Sequence, residues 1–186
     1  MKGKVFFGFF IIALFIAGGL VIYDLKRMDI ETLILCSTNE GGILIPESLC
    51  NYFMINHRIT EDDIENLSRG PSLDYILNLG APEKYQIAHR FLKKGLDING
   101  VNHYSAKKLT PLHAAVLYND AERVEFLVEN GADLSIKNSY YGMTPLELAE
   151  ELTGKNEEDS RRKIIEILTA SKSGKNEAAS YPMDKL

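Results

Sequence analysis

The residues and motifs that this sequence lacks already narrow its function. The 186-residue chain has no tryptophan and only two cysteines, and its 21 Lys and Arg against 26 Asp and Glu give a net charge of −5. Because no basic cluster alternates with aromatic residues, a nucleic-acid partner is not expected. Nothing resembles a nucleophile elbow, a phosphate-binding glycine loop or a zinc-binding helix. We therefore expect no enzymatic activity, no cofactor, no bound metal and no small-molecule substrate.

The two cysteines, Cys36 and Cys50, both lie in the first third of the chain. In an oxidising compartment a bond between them would close a loop of about 15 residues and add about 3 kcal/mol in the chain-entropy model. Two buried thiols are the alternative. No histidine or further cysteine stands at ligand spacing to either of them, so a metal site is not expected there.

Charge is absent from one long apolar run, Val5 to Tyr23. These 19 residues contain no proline and would extend about 28 Å as a helix, close to the bilayer core of about 30 Å. The run is longer than the apolar part of a usual signal peptide, so it predicts an uncleaved membrane anchor, with a cleaved signal peptide as the alternative. Lys2 and Lys4 precede the run, and Lys26 and Arg27 follow it. Because the positive charges on the two sides are nearly balanced, they do not decide the orientation. A short, charged N-terminus usually stays in the cytoplasm, so we expect the C-terminal part to be exported.

What the sequence does contain is a repeat with a period of 34 residues. The segment Thr110 to Ala115 (TPLHAA) returns as Thr144 to Ala149 (TPLELA). In the first copy Thr110 suits the N-cap of a helix and Pro111 its first position, whereas Gly131 suits the left-handed residue that ends a second helix. Each copy is therefore predicted to form a helix, a turn and a second helix.

This spacing and chemistry resemble the ankyrin repeat, over residues 70–170. The resemblance implies an all-α repeat fold, in which a β-turn finger precedes two antiparallel helices and neighbouring units stack through apolar faces. A degenerate first unit is predicted upstream, with its inner helix at Pro71 to Leu79 and its outer helix at Tyr85 to Lys94. The finger that follows is about three residues too long for the family and carries Lys108 where a turn glycine is usual.

The resemblance also assigns His113 a structural role, because the family uses this histidine to hydrogen-bond the turn of its own unit and of the adjoining one. The other histidines, His57, His89 and His103, belong to no motif. None of the four is expected to be catalytic.

Four parts of the chain are predicted. Residues 1–28 form the membrane anchor with its span at 5–23, residues 29–69 a helical cap, residues 70–170 about three ankyrin repeats, and residues 171–186 a flexible tail. Within the cap, Pro46 and Thr60 mark predicted helix starts. Since a terminal repeat cannot leave its apolar face in water, we expect the cap to cover the first repeat. A separate binding subdomain is the alternative.

Partner-binding residues are predicted from the way ankyrin stacks usually meet their partners, which is through the finger tips and the inner helices. Tyrosine is prominent in this set, and it offers a large contact area at little entropic cost. The predicted residues are His103, Tyr104, Lys107, Leu117, Tyr118, Asn119, Asp120, Asn138, Ser139, Tyr140 and Tyr141.

A small, acidic chain with one anchor and few repeats resembles the bacterial envelope ankyrin proteins. Some of these are immunity proteins that block a secreted toxin, such as an antibacterial phospholipase, in the periplasm, and others protect against oxidative stress. We therefore expect a protein-binding module in the inner membrane, with its C-terminal domain in the periplasm and a protein partner that could be a toxin. The alternative is a scaffold or assembly role in the membrane, in which the anchor binds another membrane protein.

Overall fold

A computed structural model describes the backbone of residues 2–153 and 161–179, and the side chains of this range except residues 2–6, 9, 10 and 173–179. All regular structure in this part of the chain is helical, which confirms the predicted all-α repeat fold. The chain divides into two compact units, Met1–Asp63 and Ile64–Leu186. The helices are α1 (Lys2–Arg27), α2 (Ile30–Ser37), α3 (Glu47–His57), α4 (Glu61–Arg69), α5 (Ser72–Leu77), α6 (Lys84–Lys93), α7 (Pro111–Leu117), α8 (Ala121–Glu129), α9 (Pro145–Thr153) and α10 (Arg162–Ala179).

The first unit is built around the packing of α2 against α3. A disulfide joins Cys36 on α2 to Cys50 on α3, with the two Cα atoms 5.7 Å apart. Leu33 and Ile34 of α2 and Met54 of α3 are fully buried beside it. The bond therefore fixes two helices that also share an apolar core.

Arg58 and Asp63 organise the end of this unit. Arg58 Nε lies 3.1 Å from the Asp63 carboxylate, and its Nη1 donates to the carbonyl of Met28 at 2.8 Å. The backbone N–H of Thr60 donates to Asp63 at 3.1 Å, and the Thr60 hydroxyl accepts from the N–H of Asp63. Burial acts to raise the pKa of Asp63, but the bonds from Arg58 and Thr60 outweigh it and hold the pKa below its usual value. This reciprocal cap confirms the helix start predicted at Thr60.

The N-terminal helix α1 continues through the apolar run in which a membrane span is predicted. In the part of the chain whose side chains are described, no helix combines the length and the hydropathy that crossing a membrane requires. The predicted span, 5–23, includes residues 5, 6, 9 and 10, whose side chains lie outside the described set. The span stays a prediction, and so does the coverage of the first repeat by residues 29–69.

The second unit contains three helix pairs, α5 with α6, α7 with α8, and α9 with α10. Contacts of α5 with α7 and of α7 with α9 form one row of helices, and α8 packs on α10 in the other. The inner helix predicted at Pro71 to Leu79 is α5, and the outer helix predicted at Tyr85 to Lys94 is α6. The predicted helix pair is therefore present despite the missing signature, and its assignment as a degenerate first repeat stays a prediction.

The caps that were predicted around α7 and α8 are present. The Thr110 hydroxyl accepts from the N–H of His113, and Pro111 is the first residue of α7. Gly131, with φ of +91°, follows α8, and Gly95, with φ of +99°, ends the preceding repeat in the same way. Leu127, in the last turn of α8, is fully buried.

The C-terminal end differs from the predicted tail of residues 171–186. Helix α10 continues to Ala179, and residues 180–186 lie outside the described residues, as do residues 154–160. The helix is already fixed by Ile164 and Leu168, which are buried. Since propagation of an existing helix needs no new nucleus, a polar segment without proline can extend it.

Candidate protein-binding surface on the fingers

Each finger is closed at its base by one backbone hydrogen bond. The N–H of Asn102 donates to the Leu109 carbonyl at 3.0 Å, and the N–H of Asn138 donates to the Met143 carbonyl at 2.9 Å. Lys108 has φ of +43° at the end of the first finger, and Gly142 has φ of +68° at the end of the second. The sequence departure at position 108 is thus real, because a lysine takes the left-handed turn conformation that the next repeat gives to glycine, at a cost on the order of 1 kcal/mol.

Asn138 holds the backbone of the second finger in place and is not part of the exposed surface. Its side-chain amide donates to the carbonyls of Lys107 and Lys108 at 3.1 and 3.0 Å, and its side-chain oxygen accepts from the N–H groups of Tyr140 and Tyr141 at 2.9 and 3.1 Å. Asn138 is only 3% exposed. The hydrogen bonds of this side chain are therefore directed into the two fingers, and its predicted contact with a partner stays a prediction.

Lys107 joins the two finger tips. Its ammonium donates to the hydroxyl of Tyr141 at 2.8 Å and lies 5.4 Å from the centre of that ring and 5.7 Å from the ring of Tyr140. The two tyrosine rings meet edge to face, with centroids 4.9 Å apart. The hydrogen bond to Tyr141 and the nearby phenol groups raise the pKa of Lys107, so it stays charged at neutral pH.

Three tyrosines of the predicted binding surface are open to solvent. Tyr104 is 71% exposed, and Tyr118 and Tyr140 are each 62% exposed. Tyr118 is the C-cap residue of α7, and its ring lies 5.9 Å from the Arg123 guanidinium. We call Lys107, Tyr118, Tyr140 and Tyr141 the finger cluster.

Apart from the buried Asn138, the predicted binding residues fall into two levels of exposure. Those at the surface are His103, Tyr104, Tyr118, Asn119, Ser139 and Tyr140. Those that are half-buried are Lys107, Leu117, Asp120 and Tyr141. Asp120 is engaged within the fold, since it accepts from the N–H of Arg123 at 2.9 Å as the N-cap of α8.

Comparison with known proteins agrees with this geometry. The family described as ankyrin repeats (many copies) matches residues 91–149. Residues 91–149 contain ankyrin repeats. It is also 46% identical over 61 residues to the ARF GTPase-activating protein Git of Drosophila melanogaster, a stretch that covers 32% of this chain and 8% of that protein. No solved structure matches the chain.

Within the ankyrin repeats, His113 links two neighbouring units. Its Nδ1 lies 2.7 Å from the Thr110 hydroxyl, and its Nε2 lies 3.0 Å from the carbonyl of Met143 in the next finger. A carbonyl only accepts, so Nε2 carries the proton and Nδ1 accepts from Thr110. Burial lowers the pKa of His113, and the hydrogen bond to Met143 opposes that shift. This confirms the structural role that the ankyrin resemblance implied.

A buried ionic network beneath the finger cluster was missed by sequence reasoning. Arg123 is 6% exposed and lies 3.3 Å from the carboxylate of Asp120 and 3.8 Å from that of Asp74. It also donates to the Asn78 side chain at 2.9 Å, while Asn102 donates to Asp74 at 2.9 Å. Burial raises the pKa of Asp74, although Asn102 and Arg123 act against the shift. An acid among the mainly apolar residues of α5 was the available signal.

Arg161 is a second residue that sequence reasoning missed. It is 5% exposed, and its guanidinium donates to the carbonyls of Val116 at 2.9 Å and Leu117 at 3.0 Å. These carbonyls belong to the last turn of an ankyrin inner helix, α7, where intrahelical partners run out. Arg161 therefore fixes the end of the helix that presents Tyr118.

Proposed function

We propose that this chain is a membrane-tethered binding module whose ankyrin fingers capture a protein partner outside the cytoplasm. Ankyrin repeats are protein-interaction modules, and here the observation that carries the proposal is the exposed finger cluster with Tyr104 beside it. Exposed aromatic residues on a backbone that is held in place by hydrogen bonds are typical of interface hot spots. Tyr118 is supported by Arg161 through the end of α7, and Tyr140 is supported by the hydrogen bonds of Asn138.

Site-specific photo-crosslinking tests the capture of a partner. Tyr118→benzoylphenylalanine places a photoreactive ring within the finger cluster, and Gln86→benzoylphenylalanine places the same group on the exposed side of the outer helix α6. After illumination of intact cells, we expect a discrete higher-mass adduct from position 118 and none from position 86. Mass spectrometry of the adduct identifies the partner. Equal adducts from both positions, or one from position 86 alone, would contradict binding through the fingers.

The proposed tether is α1. Its sequence has no charge between Val5 and Tyr23, and its described apolar side chains are open on several sides, with Phe7 65%, Leu14 57% and Phe15 78% exposed. A helix that is apolar all round needs an apolar surrounding. The disulfide in the first unit supports placement of the C-terminal part in an oxidising compartment such as the periplasm.

Topology is testable with a reporter enzyme that is active only outside the cytoplasm. Fused after Leu186, the reporter should be active, and fused before Lys2 it should be inactive. Thiol labelling of the denatured, non-reduced chain should find neither Cys36 nor Cys50 free. The reverse reporter pattern with both thiols labelled would place the repeats in the cytoplasm and remove the basis of the periplasmic proposal.

A role as an immunity protein is the narrower form of this proposal. It rests on the small size, the acidic charge and the resemblance to envelope ankyrin proteins. If it is correct, the crosslinked partner is a secreted toxin such as a phospholipase. The alternative is a membrane scaffold or stress-protection role. Gly18 and Gly19 favour the scaffold, because no described atom stands within 4 Å of the position of a Cβ on either residue and a second helix could approach there.

A further inference from the structure

The two finger segments differ in charge from the rest of the chain. Residues 98–110 and 134–144 contain no Asp or Glu, whereas they carry three lysines, Lys107, Lys108 and Lys137. The whole chain has a net charge of −5. The surface on which the tyrosines are concentrated is therefore the basic part of an acidic protein.

Lys107 is the lysine whose position is fixed. Its ammonium has three N–H donors, and the hydrogen bond to Tyr141 uses one of them. Within the part of the chain that the structure describes, no carboxylate forms an ion pair with Lys107. The faces of Tyr140 and Tyr141 hold the charge in place without neutralising it.

The acidic groups that flank the fingers in sequence are engaged within the fold. Asp97 and Asp133, which directly precede the two segments, accept from the N–H groups of Asn99 and Ser135 at 2.9 Å each. Glu147 pairs with Lys137 at 3.4 Å and accepts from the N–H of Thr144 at 2.8 Å. Asp120 pairs with Arg123. Among the described residues, the charge of Lys107 is thus left without a carboxylate.

We propose that the partner presents an acidic peptide segment to the finger cluster, with an Asp or Glu carboxylate bound by the ammonium of Lys107. This proposal rests on the proposed function and adds the chemistry of the partner to it. The Tyr118 and Tyr140 rings contact the non-polar parts of the same segment, and Lys108 adds longer-range attraction. Complementary charge of this kind sets specificity and the rate of association.

An acidic protein segment fits this surface better than the other polyanions do. Nucleic acids and anionic bilayers carry dense charge over long distances, and they bind through many lysines and arginines at once. The finger surface offers three lysines, one of which is paired with Glu147. A single fixed ammonium between tyrosine rings can bind one carboxylate, while the rings contact the rest of a peptide.

The test uses the full-length chain in mild detergent and two fluorescein-labelled 12-residue peptides, one of alternating Glu and Gly and the other of alternating Gln and Gly. Fluorescence anisotropy should show that the Glu peptide binds at least about tenfold more tightly than the Gln peptide at low salt, with a difference that shrinks as salt rises. Lys107→Met should weaken binding of the Glu peptide at least about tenfold, whereas Lys107→Arg should retain most of it.

Lys84→Met is the matched control, since Lys84 also lies over a tyrosine ring, 5.2 Å from the centre of Tyr85, but on the outer helix α6. We expect this variant to bind the Glu peptide as the unchanged chain does. Equal binding of the two peptides, an equal effect of both lysine changes, or tighter binding of oligo-dT or phosphatidylglycerol vesicles would overturn the acidic-segment proposal. If position 118 still crosslinks a partner while Lys107→Met leaves that adduct unchanged, the finger-binding function stands and the acidic preference alone fails.

Discussion

Replacing Arg123 with leucine should lower the free energy of unfolding by about 3–5 kcal/mol, because it leaves a buried carboxylate without its cation. Arg123 joins Asp74 of the first repeat, Asp120 at the start of α8 and the side chain of Asn78. Asp74 is 5% exposed and cannot turn to water when the guanidinium is removed. Urea unfolding followed by far-UV circular dichroism measures the change.

The pH dependence of this loss identifies its cause. Folding raises the pKa of Asp74 above the ordinary 3.8, so the folded state holds the proton more tightly than the unfolded one. Its contribution to stability is therefore present below pH 3.8 and is lost as pH rises through the folded pKa. Without Arg123 that pKa should rise further. The deficit of Arg123→Leu should accordingly be smaller near pH 4 than at pH 7.

A second substitution separates charge from packing. Adding Asp74→Asn to Arg123→Leu removes the unpaired charge while keeping a similar side-chain volume, and it should recover part of the lost stability at pH 7. A deficit that is independent of pH and is not reduced by Asp74→Asn would mean that Arg123 acts through its aliphatic stem, not through its charge.

The features that the sequence predicted are those set by local chemistry. Thr110 and Pro111 start α7, and Gly131 ends its repeat, because each of these preferences depends on the backbone within one turn. The 34-residue period then places the units, so both the helix pairs and the finger positions follow. His113 was placed correctly for the same reason, since its partner Met143 occupies a fixed position in the next unit.

The features that the sequence did not predict depend on partners far along the chain. Asn138 looks like any polar residue of a loop, and only the approach of Lys107 and Lys108 from the preceding finger gives it a structural task. Arg161 is similar, because its acceptors belong to α7, three helices earlier. Asn138 has a counterpart in the first finger, since Asn102 also accepts from an N–H two residues later, that of Tyr104, and this equivalence was the available signal. No periodicity marks Arg161.

The finger cluster should lose most of its binding when Tyr140 and Tyr141 are both replaced with alanine. We expect the affinity for the partner crosslinked at position 118 to fall by at least about 2 kcal/mol, roughly thirtyfold, because truncated aromatic anchors carry much of the energy of an interface. Tyr140 loses its exposed ring in this variant, and Lys107 loses both the hydroxyl and the ring faces that position its charge. Titration of the full-length chain against the purified partner gives the affinity.

The fold should survive the double substitution, because the Asn138 side chain still fixes the backbone of both finger segments. It donates to backbone carbonyls and accepts from backbone N–H groups, and the substitutions change neither. Thermal melting checks this point. Tyr52→Ala is the matched control, since Tyr52 is 61% exposed on α3 in the other unit. A folded double variant with unchanged affinity would remove the fingers from the interface. If Tyr52→Ala weakened binding instead, the partner would be held by the first unit, and the separate binding subdomain would replace the ankyrin fingers as the site of capture.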